Sequence, residues 1–98
     1  MNIKQTKENE SLTLFIEGSV DTVTAPTLME HLKAELGGVK ELVFDFKEVN
    51  YISSAGLRVL LFAQKTMNSQ GHMEVRNVND DIMETLELTG FVDILTIK

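Results

Sequence analysis

Apolar Leu12, Leu14 and Ile16 alternate with Thr13, Phe15 and Glu17, the period-two pattern of a strand with one buried face. The segment before it, Asn2 to Lys7, is joined to it through polar Glu8-Asn9-Glu10. That connection is short enough for a hairpin, so the two are predicted to pair antiparallel. Gly18 to Val23 reads as a loop, and Thr24-Ala25-Pro26 then supplies a capping hydroxyl and a proline suited to a first helical turn. Leu28, Met29, Leu32 and Leu36 recur at spacings of three and four, one apolar stripe of a helix ending at Leu36 before the glycine stop Gly37-Gly38. Glu41 to Phe46 is a dense apolar run rich in strand formers, as in a central strand, with Asp45 as its exception.

Lys47 to Ile52 and then Ser53-Ser54-Ala55-Gly56 lead into a second amphipathic helix with Leu57, Leu60, Leu61 and Met67 on one side, ending over Asn68 to Gly71. His72 to Asn77 alternates again, with Met73 and Val75 facing one way and Glu74 and Arg76 the other. Asn79 caps a third helix whose inward residues are Ile82, Met83 and Leu86. Asp80 and Asp81 sit in its first turn, where they complement the helix dipole, and Gly90 stops it. Phe91 to Ile97 closes the pattern with a last apolar segment. The order is ββαβαβα(β), which predicts an α/β fold: a mixed β-sheet of four to five strands with helices packed on it. A single domain over residues 1–98 is expected, since no linker, repeat or low-complexity stretch interrupts it.

Composition narrows the functions open to such a fold. Across 98 residues, 43% are apolar and 24% charged, as in ordinary globular proteins, and the formal net charge is −6. Phosphate backbones and anionic lipid surfaces are repelled by that charge, so direct nucleic-acid binding is not expected. Cysteine is absent, which excludes disulfides, thiolate metal sites and cysteine nucleophiles, and no segment has the apolar length of a signal peptide or membrane span. A cytoplasmic location follows as the expectation, without membrane insertion. His31 and His72 lie on separate elements with no evident co-ligands, so no metal or cofactor is predicted. The serine segment lacks the glycine-serine-glycine elbow of a hydrolase, and no Walker pattern is present, so an enzyme is not expected.

Ser53-Ser54-Ala55-Gly56-Leu57 is the segment that could carry chemistry, because it stands where a strand gives way to a helix. Free backbone N–H groups and the positive end of the helix dipole make such a place hospitable to an anion. The plainest role for Ser53 or Ser54 is to cap the helix.

A further role comes from resemblance. Tyr51-Ile52-Ser53-Ser54-Ala55-Gly56-Leu57-Arg58-Val59-Leu60-Leu61 resembles the signature of STAS-domain anti-sigma factor antagonists. Ile16-Glu17-Gly18-Ser19-Val20-Asp21-Thr22-Val23-Thr24-Ala25 is similar to the family's passage from its second strand into its first helix. With the order of elements, the resemblance covers nearly the whole chain. It implies a serine, two residues before the glycine, phosphorylated by a partner that is both anti-sigma factor and serine kinase. Counted back from Gly56, that serine is Ser54. Many members carry aspartate before this serine and serine or threonine after it, whereas this chain has Ser53 and Ala55. The resemblance further implies that unmodified protein captures the anti-sigma factor, and that a phosphatase resets the modified form.

Partner contact is assigned to Asp21, Ser53, Ala55, Gly56, Leu57 and Arg58, around Ser54. Asp21 is equally readable as a loop aspartate closing an Asx-turn, and Asp45 as a partly solvated strand position. Two other functions are open to the same resemblance: a STAS scaffold subunit of a transporter complex, and a nucleotide- or anion-sensing module using the helix terminus directly.

Overall fold

The computed structural model describes all 98 residues. Its elements are β1 (Asn2–Glu8), β2 (Ser11–Val20), α1 (Ala25–Glu35), β3 (Glu41–Ile52), α2 (Ser54–Gln70), β4 (His72–Arg76) and α3 (Asp80–Leu88), then a short 3₁₀ turn at Phe91–Asp93. The four strands form one sheet in the order β1-β2-β3-β4. β1 pairs antiparallel with β2 through a tight turn in which Asn9 takes φ +56°, and β3 is parallel to both β2 and β4. The predicted fifth strand is reduced to one parallel bridge between Val75 and Ile97, made by Val75 N–H to the Thr96 carbonyl and Lys98 N–H to the Val75 carbonyl.

Each β-α-β step of a parallel sheet is right-handed, which sends α1 and α2 to the same face. Burial agrees, since Leu12, Leu14, Ile16, Leu42, Phe44, Phe46, Met73 and Val75 are almost wholly covered. Phe15, on the opposite side of β2, is 39% exposed. The core continues into the helices through Leu28, Leu32, Leu57, Leu60, Ala63, Met67, Ile82 and Leu86. Met29 and Leu61, assigned to the inner stripes of their helices, are only half-buried at the stripe margins.

Two elements are longer than the sequence pattern predicts. β2 runs on to Val20 through residues read as loop, and β3 is one strand of 12 residues rather than a strand ending at Phe46. The cause is a pair of bulges. Phe15 pairs with Asp45 but Glu17 with Glu48, and Gly18 pairs with Val49 but Ser19 with Tyr51, so β3 carries an extra residue at each shift. Its inward residues past Phe46 are therefore Val49 and Ile52, spaced by three, which no period-two pattern reveals. The Ser19 hydroxyl donates to Asn50 Oδ1 at 2.9 Å and fastens the second bulge.

Candidate functional site at the start of the second helix

The lengthened strands bring β2 and β3 to a common end at Val20 and Ile52, and α2 starts directly from it. Ser53 N–H donates to the Val20 carbonyl at 2.9 Å, tying the helix start to the neighbouring strand. Ser53 is the N-cap, with φ −99° and ψ 178°, and its side-chain oxygen accepts from Gly56 N–H at 3.4 Å. Its own carbonyl accepts the first helical bond, from Leu57 N–H at 2.9 Å. Capping therefore falls to Ser53 alone. Ser54, the first helical residue, is exposed and its hydroxyl engages no protein group.

Gly56 explains why the turn can sit so close. A Cβ there would stand 2.7 Å from both Ile52 Cγ1 and the Val20 carbonyl oxygen, and 3.0 Å from Val20 Cγ1. Only glycine lets the first turn of α2 rest on the strand ends. Leu57, 6% exposed, drives its side chain into the core below. Gly56 and Leu57, both expected at the partner contact, are buried in the chain and shape the site from beneath. Ser53 and Ala55 are half-buried, and Arg58 is exposed.

Asp21 follows Val20 and so lies beside the same strand end. Its Oδ1 accepts from the backbone N–H groups of Val23 and Thr24, each at 3.0 Å, which is an Asx-turn that leads into α1. The Thr24 amide, aided by the Val23 amide and the Thr24 hydroxyl, holds the Asp21 carboxyl below its ordinary value of 3.8 against the opposing effect of desolvation. Thr24 occupies the N-cap position of α1 but caps nothing with its side chain, contrary to the expectation. Its backbone is already helical there, φ −92° and ψ −23°, and its hydroxyl turns back to donate to the Ser19 carbonyl at 2.8 Å while accepting from Asp21 N–H at 2.9 Å.

Between the two helix starts lies an open groove of about 270 Å³, lined by Thr22, Ala25, Pro26 and Met29 on one side and Ala55, Arg58 and Val59 on the other. Val23 and Tyr51, 84% and 55% exposed, stand on the two segments that meet here. Neither these two nor the α1 wall of the groove was singled out from sequence. The available signal was an apolar Val23 isolated among polar loop residues. Asp45 lies elsewhere: seven positions before Ile52 on the same strand, up to about 23 Å along it at roughly 3.3 Å per residue. There its Oδ1 accepts from Lys47 N–H and Asn77 Nδ2–H, each at 3.0 Å. His31 is engaged through Nε2 with Gln5 Oε1 at 2.7 Å, far along the chain from the site.

No helix is long and apolar enough to cross a membrane. The site can accept an anion at a helix start and can present a small, mostly apolar surface with one cation.

Comparison with known proteins bears on the family and the fold. The "Anti-sigma-B factor antagonist" of Listeria monocytogenes is 33% identical over 96 residues, covering 94% of this chain and 82% of its own length. The unphosphorylated anti-sigma factor antagonist SpoIIAA superposes with a TM-score of 0.78 at 11% identity, over 99% of this chain and 87% of that one. The phosphorylated form of Bacillus SpoIIAA gives 0.77 at 12% identity, over 99% and 91%. A sulfate transporter family protein from Wolinella succinogenes shares the fold at 0.78 and 20% identity, over 92% and 75%. The family model of the STAS domain matches residues 1–98, and this chain belongs to the STAS domain family.

Proposed function

We propose that this chain is an anti-anti-sigma factor of the bacterial cytoplasm, switched by phosphorylation of Ser54. In its unmodified form it binds an anti-sigma factor that is also a serine kinase, and so frees the sigma factor for transcription. Phosphorylation by that kinase abolishes binding, and a phosphatase restores the starting state. The chain is then a substrate rather than an enzyme. One observation carries the reading: in a turn where Ser53 is consumed as the cap and Gly56 and Leu57 are buried, Ser54 alone offers an exposed, unengaged hydroxyl.

The physics of the switch is local. A phosphoserine adds about 1.5 to 2 negative charges at neutral pH, and a helix N-terminus in water accommodates them. A partner packed against the same turn must desolvate and face that charge. A hundredfold loss of affinity requires only about 2.7 kcal/mol, within reach of one phosphate in an interface. Asp21, Ala55 and Arg58 border Ser54 and are the residues proposed to meet the partner, with Ser53 holding the turn.

Incubation with a cognate kinase and ATP, followed by mass spectrometry, is expected to find phosphate on Ser54. An unmodified Ser54, or phosphate on Ser53 only, contradicts the reading. Ser54→Ala is expected to bind the anti-sigma factor persistently and Ser54→Asp to bind at least tenfold more weakly. The likeness in fold to the Wolinella protein supports a second reading, a scaffold subunit of a transporter, for which copurification with a membrane transporter instead of a kinase is the deciding result.

A further inference from the structure

We infer that Arg58 is the internal partner of a phosphate on Ser54, so that modification both adds an anion and withdraws the cation beside it from the docking surface. The inference rests on the reading of Ser54 as the modified serine. Ser54 and Arg58 stand four residues apart on α2, and both are exposed. Residues at that spacing are neighbours on one helix face. Helical side chains lean toward the N-terminus and cover the turn before their own Cα, so the guanidinium reaches back over Ser54.

Nothing else competes for Arg58. The ion pairs of the molecule are Lys4–Glu17 and Arg76–Glu74, and Arg58 makes no side-chain hydrogen bond. Although the chain carries a net charge of −6, the 17 residues of α2 contain no aspartate or glutamate. The opposite wall of the groove, Thr22, Ala25, Pro26 and Met29, is uncharged. The Asp21 carboxylate is engaged through Oδ1 with the Val23 and Thr24 amides and makes no ion pair with Arg58. A phosphate on Ser54 would therefore give Arg58 the ion-pair partner it lacks, and a guanidinium binds phosphate oxygens bidentately. Arg58 is also the only cationic residue lining the groove, so its capture leaves that surface without positive charge.

The test uses the full chain with phosphoserine installed at position 54 during translation, titrated by phosphorus NMR. In the parent protein the second ionisation of the phosphate is expected below its free value of about 6. Arg58→Gln is expected to raise it by a few tenths of a unit, and Arg58→Lys to return it toward the parent value. Lys65→Gln removes an equal charge from the same helix, about three turns away at roughly 3.6 residues per turn, and is expected to leave the titration unmoved. Overturning results are an Arg58→Gln titration identical to the parent, or one shifted no more than by Lys65→Gln. Unchanged far-ultraviolet circular dichroism in the variants assigns either result to the pairing and not to folding. Because the phosphate is installed without a kinase, failure of a kinase to modify Ser54 would sink the modification reading and leave this titration intact.

Discussion

Ser53 accepts Gly56 N–H through its side chain and donates its own N–H to Val20, whereas Ser54, one position on, is committed to neither. A capping serine replaced by alanine typically costs about 1 kcal/mol. With a cap as long as 3.4 Å, Ser53→Ala is expected at or below that cost in urea denaturation, with the Ser54 hydroxyl still exposed. A loss above about 2 kcal/mol would mean that Ser53 has a further structural partner. Asp21 is held below its ordinary 3.8 when folded, chiefly by the Thr24 amide. Its contribution is therefore fully present above the unfolded value and is lost as pH falls through the lowered native one. Asp21→Ala is expected to be less stable than the parent near neutral pH, and the gap in urea midpoints to narrow as pH falls below 3.8. A gap independent of pH would show that the carboxylate charge is irrelevant to the turn.

Helices were legible from periodicity, which leaves Leu28, Leu32 and Leu36 all buried, and in α3 from the cap as well, since Asn79 accepts Ile82 N–H at 2.8 Å as its position predicts. Strand ends were not, because bulges put Phe46, Val49 and Ile52 at a spacing of three and so hide the second half of β3. That half matters most, since it delivers Ser53 to Val20. Two glycines hold α2 at its ends by close approach, with no positive φ involved. A Cβ on Gly71 would run into the Lys40 backbone, with the Lys40 carbonyl carbon at 2.6 Å. Overpacking by one methyl costs about 1 to 3 kcal/mol, and alanine recovers about 1 kcal/mol of helix propensity at an interior position such as Gly56. Gly56→Ala is expected to lose up to about 2 kcal/mol net, and Gly71→Ala more, because rigid backbone is what it strikes. Midpoints at or above the parent in denaturant would refute the close packing at both ends.

At the scale of the whole molecule, the site was legible as a motif and only partly as a surface. The stripe rule turned Leu57 inward while the motif assigned it to a partner, and burial follows the stripe. The α1 wall of the groove depends on how two helices separated by β3 come together on one face, a relation local periodicity does not contain. Phosphate placed on Ser54 needs no refolding, because every bond that fixes the turn belongs to Ser53, Val20, Gly56 and Leu57. Calorimetric titration of a cognate anti-sigma factor with the unmodified and the Ser54-phosphorylated chain tests the switch most directly. The unmodified form is expected to bind at least a hundredfold more tightly, about 2.7 kcal/mol. Equal affinity of the two forms would contradict it.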